Sequence, residues 1–376
     1  MASFISRLMF LLNTIAIIFL LLSYTASYIS PDGNFWWLQI IGLAYGSLLI
    51  TNFCFIIFWL LMRKKKFLFS LFAILVGFSK IFGIVELRLS GSESGVNDTT
   101  NSKLQTPNIK VMSFNVRLFD LYNWFHNTET RKKIFEFLKQ ESPDVICFQE
   151  YYHTDPTRHG DFYANNDTLR SIIPAAYSHI EYNLTLREHE HFGIATFSKY
   201  PIINKQALHF KKRGGNIFIY SDVVVAEDTL RIVNAHLESI RFKEEDYRYI
   251  ENISNDVEQE DVTGGIRILK RMRRAYGVRA RQVDVLKDSI NKSPYPVIVC
   301  GDFNDTPSSY TYHKIADGLV DSFRESGSGF GKTYAGLFPS FRIDYIFHDP
   351  RLKSFNYTTH NQKLSDHYAI SCRMAR

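Results

Sequence analysis

The sequence predicts a layered α/β or α+β domain preceded by transmembrane helices, and three observations carry that expectation. Residues 1 to 88 are dominated by Leu, Ile and Phe; residues 89–108 are small and polar; from residue 109 onward short apolar runs alternate with helical stretches. Apolar stretches of that length and composition suit a bilayer, a polar stretch lacking large side chains suits a linker, and mixed strand and helix patterns suit layered packing.

Three apolar stretches, 8–29, 36–62 and 67–87, each approach the ~20 residues that a helix needs to cross a bilayer. The first exceeds the ~7–15 residue core of a cleavable signal, and a second follows it closely, so it reads as a retained span. Between the second and third lies Arg63-Lys64-Lys65-Lys66, which the positive-inside rule puts on the cytoplasmic side. Three spans then imply a multi-pass protein of the cell membrane with its large domain extracytoplasmic; two spans would leave that domain inside. Lys80 interrupts the third stretch, and a charge near a span's centre costs ~2.5–3.5 kcal/mol, but its position toward one end lets the amine snorkel.

The formal charge of +6 is concentrated in this region, where seven basic side chains face two acidic ones; the remainder carries 37 Lys and Arg against 36 Asp and Glu. Net charge therefore offers no argument for nucleic-acid binding. The cysteines Cys54, Cys147, Cys300 and Cys372 lie in apolar runs without metal-type spacing, which predicts buried free thiols.

In the soluble part, strands are expected at 109–114, 144–149, 192–198, 217–225, 230–235, 296–300, 342–347 and 367–373. Helices are expected at 130–140, where Ile134, Phe135 and Leu138 share a face, and at 279–290, where Val283, Leu286 and Ile290 are in step. Residues 238–278 read as an insertion, acidic at Glu258, Glu260 and Asp261 and then basic from Arg267 to Arg274. Its basic half forms an amphipathic pattern with Ile266, Leu269, Met272 and Tyr276 on the apolar side. A solvated face is the plainer reading of it, ahead of a membrane- or phosphate-contacting element.

The chemistry is signalled by what stands at the ends of the apolar runs. Asn115 follows IKVMSF, Glu150 follows DVICFQ, His236 follows RIVNA, and Asp302 and Asn304 follow VIVCG. Asp344 interrupts RIDYIF, and Asp366 and His367 precede YAISC. Each alone has an ordinary explanation as a turn or surface group; together they place oxygen and imidazole donors on one rim of a rigid sheet domain.

SFNVR at 113–117, FQE at 148–150, GIATFSKYPI at 193–202, NAHLE at 234–238, GDFND at 301–305, RIDYIF at 342–347 and SDH at 365–367 resemble the endonuclease/exonuclease/phosphatase superfamily over residues 109 to 374. The resemblance implies a four-layer αββα sandwich and Mg²⁺-dependent hydrolysis of phosphate esters, with Mn²⁺ as an alternative ion. Carried over by residue, it makes Glu150 the principal metal ligand, assisted by Asn115 and Asp366. Asp302 positions and deprotonates the attacking water, while Asn304, His236 and His367 hold the phosphoryl oxygens. Asp344 orients His367 and keeps it protonated, and Glu190 is the candidate partner of His236.

An oxygen-rich ligand set without thiolate suits Mg²⁺. GSGFGKT at 327–333 falls short of a P-loop, because Ser326 stands where the first glycine belongs and no strand-to-helix turn surrounds it. It reads instead as a loop near the site, with Lys332 available to substrate. The expected substrate is a nucleic-acid or phospholipid phosphodiester; a phosphomonoester and a catalytically silent membrane-tethered binding protein are the alternatives. The sequence specifies no protein partner.

Overall fold

The structure, a computed structural model, describes residues 2–86, 108–156, 163–173, 176–210, 216–254, 262–336 and 341–376. The expected linker at 89–108, apart from Asn108, and the acidic residues Glu258, Glu260 and Asp261 lie outside them.

The strands of the two large sheets are β1 (Ile109–Asn115), β2 (Val145–Thr154), β3 (Tyr177–Leu186), β4 (Glu190–Ser198), β5 (Ile202–His209), β6 (Ile217–Val225), β7 (Asp228–His236), β8 (Val297–Asp302), β9 (Val320–Asp321), β10 (Asp344–His348), β11 (Lys353–Thr359) and β12 (Ile370–Ala375). The main helices are α1 (Ala2–Thr25), α2 (Trp37–Leu43), α3 (Tyr45–Leu61), α4 (Phe67–Val76), α5 (Thr130–Glu141), α6 (Asn165–Ile172), α7 (Glu244–Ser254), α8 (Val262–Asn291), α9 (Tyr310–Ala316) and α10 (Ser322–Ser326). Every expected strand is present. The sequence reading passed over the two-residue β9 and over β3, β5 and β11, whose residues are largely exposed or half-buried and therefore lack a strong apolar signal. It also split α8, whose 30 residues run unbroken through the supposed boundary at 278/279.

The chain forms two compact units. One comprises Phe82–Leu237, Leu286–Asp305 and Ile315–Arg376. It holds two six-stranded sheets, ordered β11-β12-β1-β2-β4-β3 and β9-β10-β8-β7-β6-β5. Each is antiparallel except for one internal parallel pair, β1 with β2 and β7 with β8. Alternation of side chains builds the layers. Along β1 and β2, Val111, Val145 and Cys147 enter a core shared with Ile232, Ile298, Cys300, Ile346 and Cys372 of the other strands. The intervening Met112, Phe114, Ile146 and Phe148 pack against Ile134, Phe135, Phe137 and Leu138 of α5 and Leu169 of α6. The sheets thus form a sandwich with helices outside, the fold class the sequence predicts.

The other unit comprises Met1–Ile81, Glu238–Val285 and Thr306–Lys314. Among the described residues α1 alone is long and apolar enough to cross a membrane as one helix, and α2 and α3 meet at a 58° bend. The third apolar stretch is a broken helix: α4 has 10 residues and ends before Gly77, where an added Cβ would overlap the Tyr24 ring, and a short helix follows at Phe78–Ile81. Within the bundle, polar groups are buried beside Leu20, Leu38, Tyr45 and Trp59. Asn13 donates to Ser70 Oγ at 2.6 Å, Ser70 donates to Asn52 Oδ1 at 3.1 Å, and Trp59 Nε1 donates to Asn13 Oδ1 at 2.8 Å. Many large apolar side chains face outward, including Leu11 and Ile18 on α1, Phe53 and Ile57 on α3, and Phe72 on α4. Cys54 is likewise exposed, against the expectation of burial, while Cys147, Cys300 and Cys372 are buried free thiols.

Candidate active site

The site is the polar end of the same inward-facing rows that build the core between the sheets. β1 runs Ile109, Val111, Ser113, Asn115 on its inner face; β7 runs Ile232, Asn234, His236; β8 runs Ile298, Cys300, Asp302. Pairing register sets His236 opposite Asp302, and Asp302 opposite Asp344 at the start of β10. Glu150 arrives differently. The β2–β4 register shifts between Phe148 and Tyr151, and Glu150 adopts φ +48°, so a bulge re-aims its carboxylate.

Asp302 is the centre of the arrangement. Its Oδ2 accepts from Asn115 Nδ2 at 3.0 Å and Asn304 Nδ2 at 3.2 Å, and its Oδ1 accepts from the Asn304 backbone N–H at 2.9 Å. The Nε2 atoms of His236 and His367 each lie 3.7 Å from the same Oδ2. Asn304 is in turn held by the Leu237 carbonyl at 3.1 Å and takes a left-handed φ of +52°. Burial pushes the Asp302 carboxyl above its ordinary range and Asp344 adds to this, against the pull of His367, His236 and the Asn304 amide.

His367 is paired as the sequence implied, with its Nδ1 at 2.9 Å from Asp344 Oδ2 and 3.1 Å from Oδ1. Burial alone would lower its pKa, but Asp344, Asp302 and Asp366 outweigh this and hold it well above the ordinary imidazole value. Thr333 Oγ1 accepts from the backbone N–H groups of Ile343 and Asp344, both at 3.0 Å, and Tyr334 sets its ring edge-on to His367. The stretch containing Lys332 is thus a wall of the site rather than a phosphate loop, although it is Thr333 and Tyr334 that make these contacts.

The partner proposed for His236 needs correction. His236 Nε2 lies 3.9 Å from Glu150 Oε1 and 3.7 Å from Asp302, whereas Glu190 pairs with Arg187 at 3.1 Å and stands opposite Thr154 in the sheet register. Strand position misled the sequence reading, because Glu190 begins β4 at the end where β2 finishes, beyond the Glu150 bulge.

Sequence reasoning also missed three supporting residues. Gln149 donates to Asn234 Oδ1 at 2.7 Å, and Asn234 donates to the Phe148 and Ala195 carbonyls, so a buried amide pair ties the two sheets beneath the site. Both break the apolar alternation at inward positions, which was the available signal. Arg117 places Nε 3.3 Å from Asp366 Oδ2 and its guanidinium 4.4 Å from the Trp124 ring centroid. Residues 117–120 all have positive φ, an unusual left-handed turn that sets Arg117 at the rim.

The donor set fits a hard divalent cation. Glu150, half-buried, is pushed up by desolvation and by the facing carboxylates Asp366 and Asp302, against His236 and His367. Among the described residues no hydrogen-bond donor is aimed at Glu150 within bonding distance, which leaves its carboxylate oxygens available to a cation. Donor atoms of Asp302, Asp344 and His367 also lie within 4.8 Å of one another. Of these, Asp344 and His367 are already hydrogen-bonded to each other, while His367 Nε2 stands 3.7 Å from Asp302.

The pattern of the Endonuclease/Exonuclease/phosphatase family matches residues 112–367. The chain belongs to this family. Family membership makes it a hydrolase acting on phosphoester bonds. Residues 6–83 match a separate domain of unknown function, DUF8431. No curated protein matches the chain. Among solved structures, an endonuclease/exonuclease/phosphatase family protein from Bacteroides thetaiotaomicron is similar with a TM-score of 0.52 at 13% identity, covering 72% of this chain and 98% of that one. An endonuclease/exonuclease/phosphatase from Beutenbergia cavernae gives 0.51 at 16% identity, covering 71% of each chain. The human Nocturnin catalytic domain, solved with a bound sulfate anion, gives 0.50 at 18%, covering 72% and 95%. At these identities the likenesses establish the fold.

Proposed function

We propose that the protein is a membrane-anchored, Mg²⁺-dependent phosphodiesterase acting by in-line attack of water, with a nucleic-acid or phospholipid-headgroup diester as substrate. The observation that carries this reading is Asp302, a buried carboxylate of raised pKa flanked by two imidazoles and two amides. A carboxylate with a raised pKa is the stronger base toward a water proton. Asn115 and Asn304 fix its orientation, so that its free lone-pair direction is set before substrate arrives. Protonated His367, held by Asp344, donates from Nε2 to a phosphoryl oxygen, and His236 binds a second one. Glu150, Asp366 and Asn115 would hold the ion, which supplies charge neutralisation at the phosphoryl and leaving oxygens. Mn²⁺ meets the same oxygen-donor requirement.

Membrane anchoring is supported by the N-terminal bundle, which buries hydrogen-bonded Asn and Ser side chains and exposes many large apolar ones. Its two ends support the proposed orientation. At one, Lys66 lies over Phe10 and Trp59 beside the Arg63–Lys65 cluster. At the other, Ser27 donates to the Ser308 carbonyl and Gln39 accepts from the Tyr310 N–H, joining the α1–α2 turn to segments of the family region. With the basic end cytoplasmic, those segments are extracytoplasmic.

The test uses the full chain in nanodiscs, offered DNA, RNA, sphingomyelin, phosphoinositides and an aryl phosphodiester with Mg²⁺. Hydrolysis abolished by chelator and reduced at least about 10²-fold in Asp302→Asn and His367→Ala is expected. A metal-loaded wild-type protein inert on every substrate would refute the proposal.

A further inference from the structure

The apolar stripe of α8 is only partly covered. Met272 and Tyr276 are buried, but the same side of the helix emerges as Leu269 and Ile266, 43% and 48% exposed. At 100° per residue, Ile266, Leu269, Lys270 and Arg273 fall within an arc of about 100°, two apolar side chains interleaved with two cations. The neighbouring arginines of this helix are committed elsewhere: Arg267 and Arg271 to Asp246 at 2.8 and 3.0 Å, and Arg274 to Glu238 at 3.0 Å. Lys270 and Arg273 have no such acidic partner among the described residues. Ile266 and Lys270, with the stems of the three paired arginines, line an open groove of about 550 Å³.

What the stripe leads to decides its occupant. One turn beyond Arg273 the same arc reaches Gly277, where an added Cβ would stand 3.5 Å from Asp32 Oδ1 and 3.9 Å from the Pro31 carbonyl. A turn further, Arg281 pairs with Asp32. Pro31 and Asp32 belong to the turn that follows α1, the helix long and apolar enough to cross a bilayer. Thus the cationic and apolar stripe continues directly from the end of the span, where phospholipid headgroups begin.

We propose that this face of α8 is a binding surface for anionic phospholipid headgroups of the leaflet into which α1 opens. Leu269 and Ile266 enter the acyl boundary while Lys270 and Arg273 meet phosphate, as in interfacial helices. The inference rests on the reading of α1 as a membrane span.

The experiment is hydrogen exchange of the full chain in nanodiscs of phosphatidylcholine alone and of phosphatidylcholine with about one third phosphatidylglycerol. Residues 264–276 are expected to exchange roughly tenfold more slowly in the anionic discs, and Lys270→Gln/Arg273→Gln to remove that difference. Residues 280–291 should exchange alike in every sample, which reports that the variant is folded. Equal exchange of 264–276 in both discs, or protection that persists in the double variant, overturns the proposal. Release of the chain from native membranes by alkaline carbonate overturns the membrane reading and this inference with it, while protein retained by membranes but unprotected overturns this inference alone.

Discussion

His367 Nδ1 lies 2.9 Å from Asp344 Oδ2, and this pair decides the protonation state of the site. Asp344→Asn removes the carboxylate that most strongly raises the His367 pKa, leaving burial to lower it. The imidazole then loses its proton at lower pH. Activity should fall about 10²–10³-fold near neutrality, and the alkaline limb of the kcat/KM profile should move to lower pH. A pH–rate series on the variant checks this; an alkaline limb left in place would count against a protonated His367.

Glu150 and Glu190 provide a matched contrast. Both are strand-end glutamates, but only Glu150 faces Asp366, His236 and Asp302. Glu150→Gln should weaken Mn²⁺ binding, followed by calorimetry, by about two orders of magnitude, with activity falling in parallel. Glu190→Gln loses only a pair to the mostly exposed Arg187 and should leave both unchanged.

The contrast also marks what was legible in the sequence. Asn115, His236 and Asp302 stand in the inward phase of runs whose apolar members are core, so strand periodicity alone carries them to one end of the space between the sheets. Glu150 and Asn304 depend on left-handed backbone that periodicity does not encode, and their place just past apolar runs and the FQE and GDFND motifs signalled them. The Glu190 assignment failed because strand ends identify a rim but not its side. Arg117 was hidden in a turn whose four positive φ values belong to non-glycine residues, for which local composition gives no warning. The third apolar stretch reads as one unbroken helix by composition, yet Gly77 packs against Tyr24, and the helix breaks there.

Gly301 sits between Cys300 and Asp302 with φ +153°, and a Cβ there would come within 2.0 Å of the Ala235 carbonyl oxygen. The same approach holds β7 and β8 in the register that sets His236 opposite Asp302. Gly301→Ala should therefore cost about 2–4 kcal/mol in stability and reduce activity beyond the loss of folded protein. Chemical denaturation and kcat on the folded fraction separate the two. A variant with wild-type midpoint and rate would show that the strands separate freely here.

His179 couples stability to pH at a distance from the chemistry. It is 3% exposed, its Nδ1 lies 2.9 Å from Ser221 Oγ across the two sheets, and burial, reinforced by Lys205, lowers its pKa to about 4. In the unfolded chain the same group titrates near its ordinary value of about 6.5. Between those values the unfolded state binds a proton that the folded state refuses, so stability rises with pH. The contribution is complete above about pH 6.5 and is lost as pH falls toward 4, amounting to about 3 kcal/mol at most. His179→Asn removes the titrating group, so denaturation midpoints recorded from pH 7 down to about pH 5 should fall less steeply for the variant than for the wild type. Parallel slopes would mean that His179 is not what the folded state protects from protons, and that the acid sensitivity resides in the carboxylate pairs.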